Sequence, residues 1–170
     1  MSNDGGADHL QPGTRLPPFA LLATDGRQVD LAALAGKTML IVYPWTGRPG
    51  HPNPPNWDDI PGAHGSTPEL EGFRDCFEDF ARRGVAIFGL SRQTSDYQRE
   101  MVTRLRLPFL VLSDAKGTFA AALRLPSFAT GGEIYLRRLT LVVTNGMIES
   151  VIYPVLDPAG HAADVLRRLG

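Results

Sequence analysis

Apolar segments that alternate with helical patterns are the feature of this sequence that most constrains its fold. Residues 38–43 and 85–90 are almost continuously apolar, which is typical of strands buried on both faces of a sheet. Residues 67–83 and 96–106 carry apolar side chains at three- and four-residue spacing, which predicts helices that each bury one face. Strands that alternate with helices in this way predict an α/β fold.

Two turn signals predict β-hairpins near the two ends of the chain. Asp25-Gly26 and Asn145-Gly146 each lie between apolar segments, and both dipeptides are favoured in two-residue hairpin turns. Because hairpins pair antiparallel whereas strand–helix–strand units pair parallel, we predict a central mixed sheet flanked by helices, with an N-terminal β-hairpin. The remaining predicted elements are strands at 19–23, 28–30, 109–112, 139–144 and 147–153 and helices at 117–123 and 162–169.

The chain is predicted to form a single domain over residues 15–170. It has 170 residues, of which 43% are hydrophobic, and this is enough to bury a core. Residues 1–14 are mostly polar and rich in glycine, so we expect a mobile N-terminal tail. Residues 44–65 contain six prolines and four glycines, and we expect them to be irregular.

The composition argues against nucleic-acid and membrane partners. The net charge is −1 and the basic residues are scattered along the chain, whereas nucleic-acid binding needs a basic stripe or patch. No apolar run approaches the ~20 residues that span a bilayer, and residues 1–13 lack the apolar segment of a signal peptide. We therefore expect a cytoplasmic protein that binds neither nucleic acid nor membranes.

Cys76 is the single cysteine, which excludes an internal disulfide, a Cys-x-x-Cys pair and a multi-thiolate zinc site. It lies at the edge of the apolar face of the predicted helix, next to Asp75, Glu78 and Asp79, whose charges would raise the pKa of a thiol. We interpret Cys76 as an inert core residue; the alternative is a redox thiol. No metal site is predicted, because the His and Asp residues of 44–65 match no ligand spacing.

Ser66 begins the predicted helix, at a position that would suit a reactive thiol. Unpaired backbone N–H groups and the positive end of the helix dipole lower the pKa of a cysteine there. A serine hydroxyl does not ionise in the same place and has no sulfenic acid state. The sequence Ser66-Thr67-Pro68-Glu69 instead predicts a capping box, in which Ser66 is the N-cap and Glu69 reaches back to it.

An ordered set of short motifs is similar to the peroxiredoxins of the AhpC/TSA type, in the bacterioferritin-comigratory-protein branch. Each motif is weak alone, but together they span residues 16–169 in the family's order. The resemblance implies a thioredoxin-like fold. The motifs are Pro17-Pro18-Phe19, Asp25-Gly26, Ile41-Val42-Tyr43-Pro44, Gly72-Phe73-Arg74-Asp75, Gly89-Leu90-Ser91, Leu107-Pro108-Phe109, Leu112-Ser113-Asp114 and Arg138-Leu139-Thr140.

The resemblance implies a role for particular residues. Ser66 would hold the position of the peroxidatic cysteine, and Arg138 would be the catalytic arginine. The motif threonine falls on Ala63, with Thr46 as a substitute, and Glu71 stands where some relatives have a resolving cysteine. The pocket implied around these residues is formed by Pro44, Trp45, Thr46, Ala63 and Thr67.

The activity implied by the resemblance is an antioxidant one, the thiol-dependent reduction of hydrogen peroxide or alkyl hydroperoxides. It implies no cofactor, a homodimer, and thioredoxin or a small thiol as reductant. Two interpretations of Ser66 follow: a natural serine that leaves a pocket able to bind a ligand without reducing peroxide, or a Cys-to-Ser variant of a thiol peroxidase. A different class of function is a non-enzymatic redox-sensing or ligand-binding module that uses Cys76 or the loop pocket.

Overall fold

Seven strands form one sheet, in the spatial order β2-β1-β5-β4-β3-β8-β9, and β6 pairs with β7 in a separate hairpin. The structure is a computed structural model that describes residues 4–169. The strands are β1 (Ala20–Ala23), β2 (Gln28–Asp30), β3 (Lys37–Val42), β4 (Val85–Ser91), β5 (Leu110–Ser113), β6 (Ser127–Thr130), β7 (Glu133–Leu136), β8 (Leu139–Thr144) and β9 (Met147–Ile152). The helices are α1 (Ser66–Asp75), α2 (Phe77–Arg82), α3 (Ser95–Leu105), α4 (Thr118–Leu123) and α5 (His161–Arg168), with 3-10 turns at Leu31–Ala33 and Trp57–Asp59.

The sheet is mixed, as the hairpin and strand–helix–strand patterns predict. β3 pairs parallel with β4, and β4 pairs parallel with β5. The strands at both margins are antiparallel to their neighbours, because the hairpins β1–β2 and β8–β9 supply them. The prediction of an α/β fold with a central mixed sheet flanked by helices is confirmed.

Both faces of the sheet are covered, which explains the continuously apolar strands. Along β3, Leu40 and Val42 belong to one apolar cluster, together with Phe119 of α4. Met39 and Ile41 belong to the cluster on the other face, which includes side chains of α1, α2, α3 and α5. Successive side chains of a strand point to opposite faces, so a strand covered on both sides must be apolar at every position.

The single helix expected over 67–83 is wrong: two helices, α1 and α2, meet at Cys76. The backbone of Cys76 has φ −95° and ψ 2°, which is the conformation of a tight turn rather than of an α-helix. The apolar spacing of Phe73, Phe77 and Phe80 continues across the break, and all three pack in the same cluster. A one-residue interruption therefore leaves the apolar periodicity unchanged.

The hairpin of β6 and β7 is absent from the predictions. Gly131 and Gly132, with φ of +60° and +81°, make the turn between the two strands, and glycine adopts this left-handed region at little cost. Five of the eight strand residues are apolar, and Gly-Gly is itself a hairpin signal, so the sequence does carry a local signal for this hairpin. This hairpin matters for function because it contacts the proline-rich segment 44–65.

Residues 4–14, predicted to be a mobile tail, lie against the domain. Ala7 and Leu10 are buried in the core, and the amide of Gly13 donates to the carbonyl of Ile148. The ring of His9 is hydrogen-bonded to the carbonyl of Leu123 at 2.9 Å. The two apolar side chains are enough to anchor a segment that is otherwise polar, and its mobility stays a prediction. Among residues 4–169, no helix has the length and apolar character to cross a membrane.

Candidate active site

Arg138 is the centre of the site. It lies between β7 and β8, and the residue is 2% exposed. One guanidinium nitrogen, Nη1, donates to the hydroxyl of Ser66 at 3.1 Å and to the carboxylate of Glu69 at 2.8 Å. Although 72 residues separate Ser66 from Arg138, the fold brings these two sequence-predicted residues into direct contact.

The end of the proline-rich segment fixes the other side of the guanidinium. Nη2 of Arg138 donates to three consecutive backbone carbonyl oxygens, those of Gly62, Ala63 and His64, at 3.2, 3.3 and 3.1 Å. A planar guanidinium held on both edges has little rotational freedom. The segment 62–64 therefore sets the direction in which Arg138 presents Nη1 to Ser66.

Glu69 has a different role from the one predicted. The N-cap of α1 is Gly65, Ser66 is the first helical residue, and within residues 4–169 no side chain caps the N-terminus of this helix. Glu69 is fully buried and pairs with Arg138, so the capping box is wrong. Glu69 lies four residues before Phe73 and therefore on the buried face of α1. This spacing is the signal that could have identified Glu69 as a buried residue.

The charge on Glu69 depends on two opposing effects. Burial raises the pKa of Glu69, because a carboxylate loses hydration in the interior, and Arg138 lowers it in part. The second oxygen, Oε2, is buried and has no hydrogen-bond partner within residues 4–169, and the same is true of Nε of Arg138. The pair thus has unused hydrogen-bonding capacity beside Ser66.

Gly65 allows the chain to begin α1 at this place. Its φ is +114°, and a Cβ atom would lie 2.7 Å from Cγ of Pro158. Both the backbone conformation and the close approach of the proline ring exclude a larger residue. Glycine at this position therefore places the Ser66 hydroxyl against Arg138.

A cavity of about 270 Å³ adjoins the Ser66 hydroxyl, and we name it the Ser66 cavity. Trp45 and Trp57 line it together with Ala63, Ser66 and Thr67. The two indole rings meet edge to face with their centroids 5.5 Å apart. Three of the predicted pocket residues, Trp45, Ala63 and Thr67, are thus brought to Ser66.

The other two predicted pocket residues are placed differently. Pro44 lines a neighbouring cavity on the other side of Trp45. Thr46 is buried, and its amide and hydroxyl both donate to the side-chain oxygen of Gln93 at 3.2 Å. Gln93 in turn donates to the carbonyl of Thr46 at 3.1 Å. The hydroxyl of Thr46 is therefore engaged by Gln93, a residue that the sequence did not indicate.

The proline-rich segment is attached to the β6–β7 hairpin through Trp57. This side chain is 4% exposed, and its ring lies 5.6 Å from Phe128 and 5.1 Å from Tyr135. Thr130 donates a hydrogen bond of 2.7 Å to the carbonyl of Pro55. These contacts join the segment to the hairpin, and Trp57 lines the Ser66 cavity, where Ser66 is only 3% exposed.

His64 and Asp58 form an exposed pair, with 2.5 Å between Nε2 and Oδ1. His64 contributes its backbone carbonyl to Arg138, while its ring, 55% exposed, pairs with Asp58. Nowhere in residues 4–169 do three or more His, Cys, Asp or Glu side chains come together as a metal site would require.

Cys76 lies at the junction of α1 and α2, ten residues after Ser66. It is half-buried and packs against the apolar cluster of the α1 face. Burial raises the pKa of its thiol, and Asp79 and Asp75 raise it further. A thiol in this environment is mainly protonated at neutral pH and reacts slowly.

His161, at the start of α5, packs behind the site in its neutral form. It is 4% exposed, and its Nε2 is hydrogen-bonded to the hydroxyl of Thr140 at 2.8 Å. Burial lowers the pKa of His161 from 6.5 to about 4, and the neighbouring Asp164 offsets this only in part. The folded state therefore favours the neutral imidazole.

Acidification is expected to weaken the fold through His161. The pKa of His161 is lower in the folded than in the unfolded chain. Its contribution to the free energy of unfolding is therefore complete above pH 6.5 and is lost as the pH falls towards about 4. The expected loss is about 2 kcal/mol between pH 6.5 and about pH 5. Urea unfolding of the wild type and of His161→Gln, compared across this range, isolates the effect. Parallel pH profiles for the two proteins would contradict it.

Comparison with known proteins places the chain in a family. The Redoxin family profile matches residues 11–166. The chain is 28% identical to the chloroplastic peroxiredoxin Q of Sedum lineare over 161 residues, which cover 92% of this chain and 76% of that protein.

Solved structures support the same family assignment. The crystal structure of peroxidoxin BcpB from Mycobacterium tuberculosis has a TM-score of 0.75 and 25% identity, covering 95% of this chain and 97% of the other. A cysteine-to-serine variant of PrxQ from Xylella fastidiosa has a TM-score of 0.76, covering 95% and 96% of the two chains; at 19% identity it supports the fold alone. The thioredoxin-like fold implied by the sequence motifs is confirmed, and the chain belongs to the Redoxin family, among relatives that are peroxiredoxins.

Proposed function

We propose that the Ser66 cavity is a peroxiredoxin-type peroxide site in which a hydroxyl occupies the position of the peroxidatic thiol. The observation that carries the proposal is the hydrogen bond of 3.1 Å from Arg138 to Ser66. It joins the first residue of α1 to a buried, fully oriented guanidinium. In this arrangement Arg138 and the N-terminus of α1 bind an oxygen-rich ligand, and Ser66 does not react with it.

The chemistry explains why one atom decides activity. A thiolate at the start of α1 would attack one peroxide oxygen, so that an S–O bond forms while the O–O bond breaks. The second oxygen leaves as hydroxide or alkoxide and takes up a proton, and the sulfur becomes a sulfenic acid. Arg138 would donate hydrogen bonds to the oxygens that gain negative charge. Ser66 lacks the ionised nucleophile and the oxidation state that this cycle needs.

The same reasoning defines the partners that we propose. The ligand is hydrogen peroxide or a small alkyl hydroperoxide, held without a cofactor. With a thiol at position 66, thioredoxin or a small thiol would reduce the sulfenic acid, because Cys76 is at the far end of α1 and has a raised pKa. A cytoplasmic location and a homodimer are part of the proposal by family resemblance.

Two origins of Ser66 remain compatible with this function. A natural serine makes the protein a peroxide-binding member of its family, and a Cys-to-Ser exchange makes it the unreactive form of a thiol peroxidase. Both require that the scaffold around position 66 can support thiol chemistry. The third hypothesis, redox sensing through Cys76, gains no support from the environment of that thiol.

Sulfenic acid trapping tests the proposal. We expect Ser66→Cys in a Cys76→Ser background to form a sulfenic acid with hydrogen peroxide, which a dimedone probe captures at residue 66 and mass spectrometry locates. Cys76→Ser alone is the matched control and should take up no label. Absence of the adduct in a folded Ser66→Cys/Cys76→Ser variant would refute the proposed site.

A further inference from the structure

We propose that residues 47–54 form a flap over the Ser66 cavity and that α3 latches this flap through Glu100 and Arg104. Two residues of the flap, Gly47 and Asn53, line the cavity. Residues 49–53 are exposed to solvent, so the flap forms an outer wall of the cavity. The latch controls entry to the cavity, which the peroxide chemistry proposed for this site does not address.

The flap lies between two anchored points of the proline-rich segment. On its N-terminal side, Thr46 exchanges three hydrogen bonds of 3.1–3.2 Å with Gln93. On its C-terminal side, the carbonyl of Pro55 accepts a hydrogen bond of 2.7 Å from Thr130. Neither anchor holds the residues in between, so the position of the flap depends on contacts that the flap makes itself.

Glu100 and Arg104 supply those contacts from α3. The carboxylate of Glu100 pairs with Nε of Arg48, a flap residue, at 3.4 Å and with Nε of Arg104 at 2.7 Å. Nη2 of Arg104 in turn donates to the carbonyl of Gly47 at 2.9 Å. In the described part of the chain, no other hydrogen bond or ion pair joins residues 47–54 to the rest of the protein. We name Glu100, Arg104 and Arg48 the latch.

The latch is charged and open to salt. The side chains of Arg48, Glu100 and Arg104 are 31%, 33% and 29% exposed. Hydrogen bonds from Arg104 lower the pKa of Glu100, and the charge of Arg48 lowers it further, so Glu100 is ionised at neutral pH. Ion pairs near the surface are individually weak and are screened by salt. The flap can therefore be released while the domain stays folded.

The opposite wall of the cavity does not share this attachment. Residues 62–64 accept hydrogen bonds from Arg138, and Ser66 begins α1. Trp57 packs on the β6–β7 hairpin. Release of the latch therefore moves one wall of the cavity and leaves Ser66 and Arg138 in place.

Charge reversal at Glu100 tests the latch in the otherwise unchanged chain. Glu100→Lys places a third cation beside the two arginines. We expect the acrylamide quenching constant of the tryptophan fluorescence to rise at least about twofold, because Trp45 and Trp57 line the cavity. Asp164→Lys is the matched control: Asp164 also pairs with two arginines on its helix, at 3.4 and 3.0 Å, but it lies on α5. It should leave the quenching constant unchanged.

Alkylation of a thiol at position 66 locates the opening. In Ser66→Cys/Cys76→Ser, iodoacetamide should react at least about threefold faster when Glu100→Lys is added. Sodium chloride at about 0.5 M should accelerate the reaction while Glu100 is present, because it screens an attraction, and slow it in Glu100→Lys, because it screens a repulsion.

Three results would overturn the latch: equal alkylation rates with and without Glu100→Lys, an unchanged quenching constant, or an equal rise in Asp164→Lys. Alkylation measures access to position 66 and needs no peroxide chemistry. A thiol that is alkylated faster in Glu100→Lys but forms no sulfenic acid would therefore refute the peroxide site and support the latch.

Discussion

Replacement of Arg138 by leucine is expected to lower the free energy of unfolding by about 3–5 kcal/mol. The change leaves Glu69 in the interior without its cationic partner, which lies at 2.8 Å in the native site. It also leaves the carbonyls of residues 62–64 without a donor, and buried acceptors without partners are costly. Few single changes in this protein remove so many buried polar contacts at once.

The loss should depend on pH in a defined direction. Without Arg138, burial alone acts on Glu69 and raises its pKa further, so the protonated, neutral form prevails in acid. The destabilisation by Arg138→Leu should therefore be larger at about pH 8 than at about pH 5. Urea unfolding followed by tryptophan fluorescence measures both values.

Two companion variants make this result specific. Arg138→Leu/Glu69→Leu removes both charges and should recover part of the loss, because no unpaired charge remains inside. Arg167→Gln changes an arginine whose side chain is 72% exposed, and it should cost less than about 1 kcal/mol. A loss below about 1 kcal/mol for Arg138→Leu would show that the buried pair does not hold the site together.

Most of the fold could be predicted because it rests on local signals. The continuous apolar pattern of β3 and β4 and the turn dipeptides Asp25-Gly26 and Asn145-Gly146 determine structure within a few residues. The β6–β7 hairpin has a local turn signal as well, Gly131-Gly132, but its rings also pack on Trp57, about 70 residues earlier in the sequence. Tertiary packing of this kind leaves no periodic pattern in the strands themselves.

The candidate site was only partly predictable. Ser66 and Arg138 were identified through resemblance to a family, and the structure places them 3.1 Å apart. Glu69 was assigned to a capping box because Ser-x-x-Glu at a helix start is the usual signal for one. The role of Glu69 depends on which face of α1 is buried. The proline-rich segment buries the first turn of α1, and the sequence does not reveal the path of that segment.

This segment has a structural function that its composition conceals. Its prolines and glycines indicate only a lack of regular structure, yet residues 62–64 orient Arg138 and Trp57 covers the site. Conformationally restricted residues lower the entropy of the unfolded chain, so a proline-rich segment can hold one path without helices or strands. The site is therefore built as much by irregular backbone as by the sheet.

A thiol introduced at position 66 is expected to ionise well below the usual cysteine pKa of about 8.5. It would lie at the first residue of α1, a helix of ten residues, where the helix dipole favours an anion. It would also take the place of the Ser66 hydroxyl beside Nη1 of Arg138. Burial and the charge of Glu69 oppose ionisation, but Arg138 is in direct contact, so we expect its charge to dominate.

A pH titration of the thiolate ultraviolet absorbance in Ser66→Cys/Cys76→Ser, which contains a single thiol, decides whether Arg138 and α1 form a peroxidatic site. We predict a midpoint below about pH 7.5, as in other activated cysteines. The Cys76-containing wild type, titrated in parallel, should have a midpoint above the ordinary value, because burial and two aspartates raise the pKa of that thiol. A midpoint at or above about pH 8.5 for the introduced thiol would contradict the claim that Arg138 and α1 form a peroxidatic site.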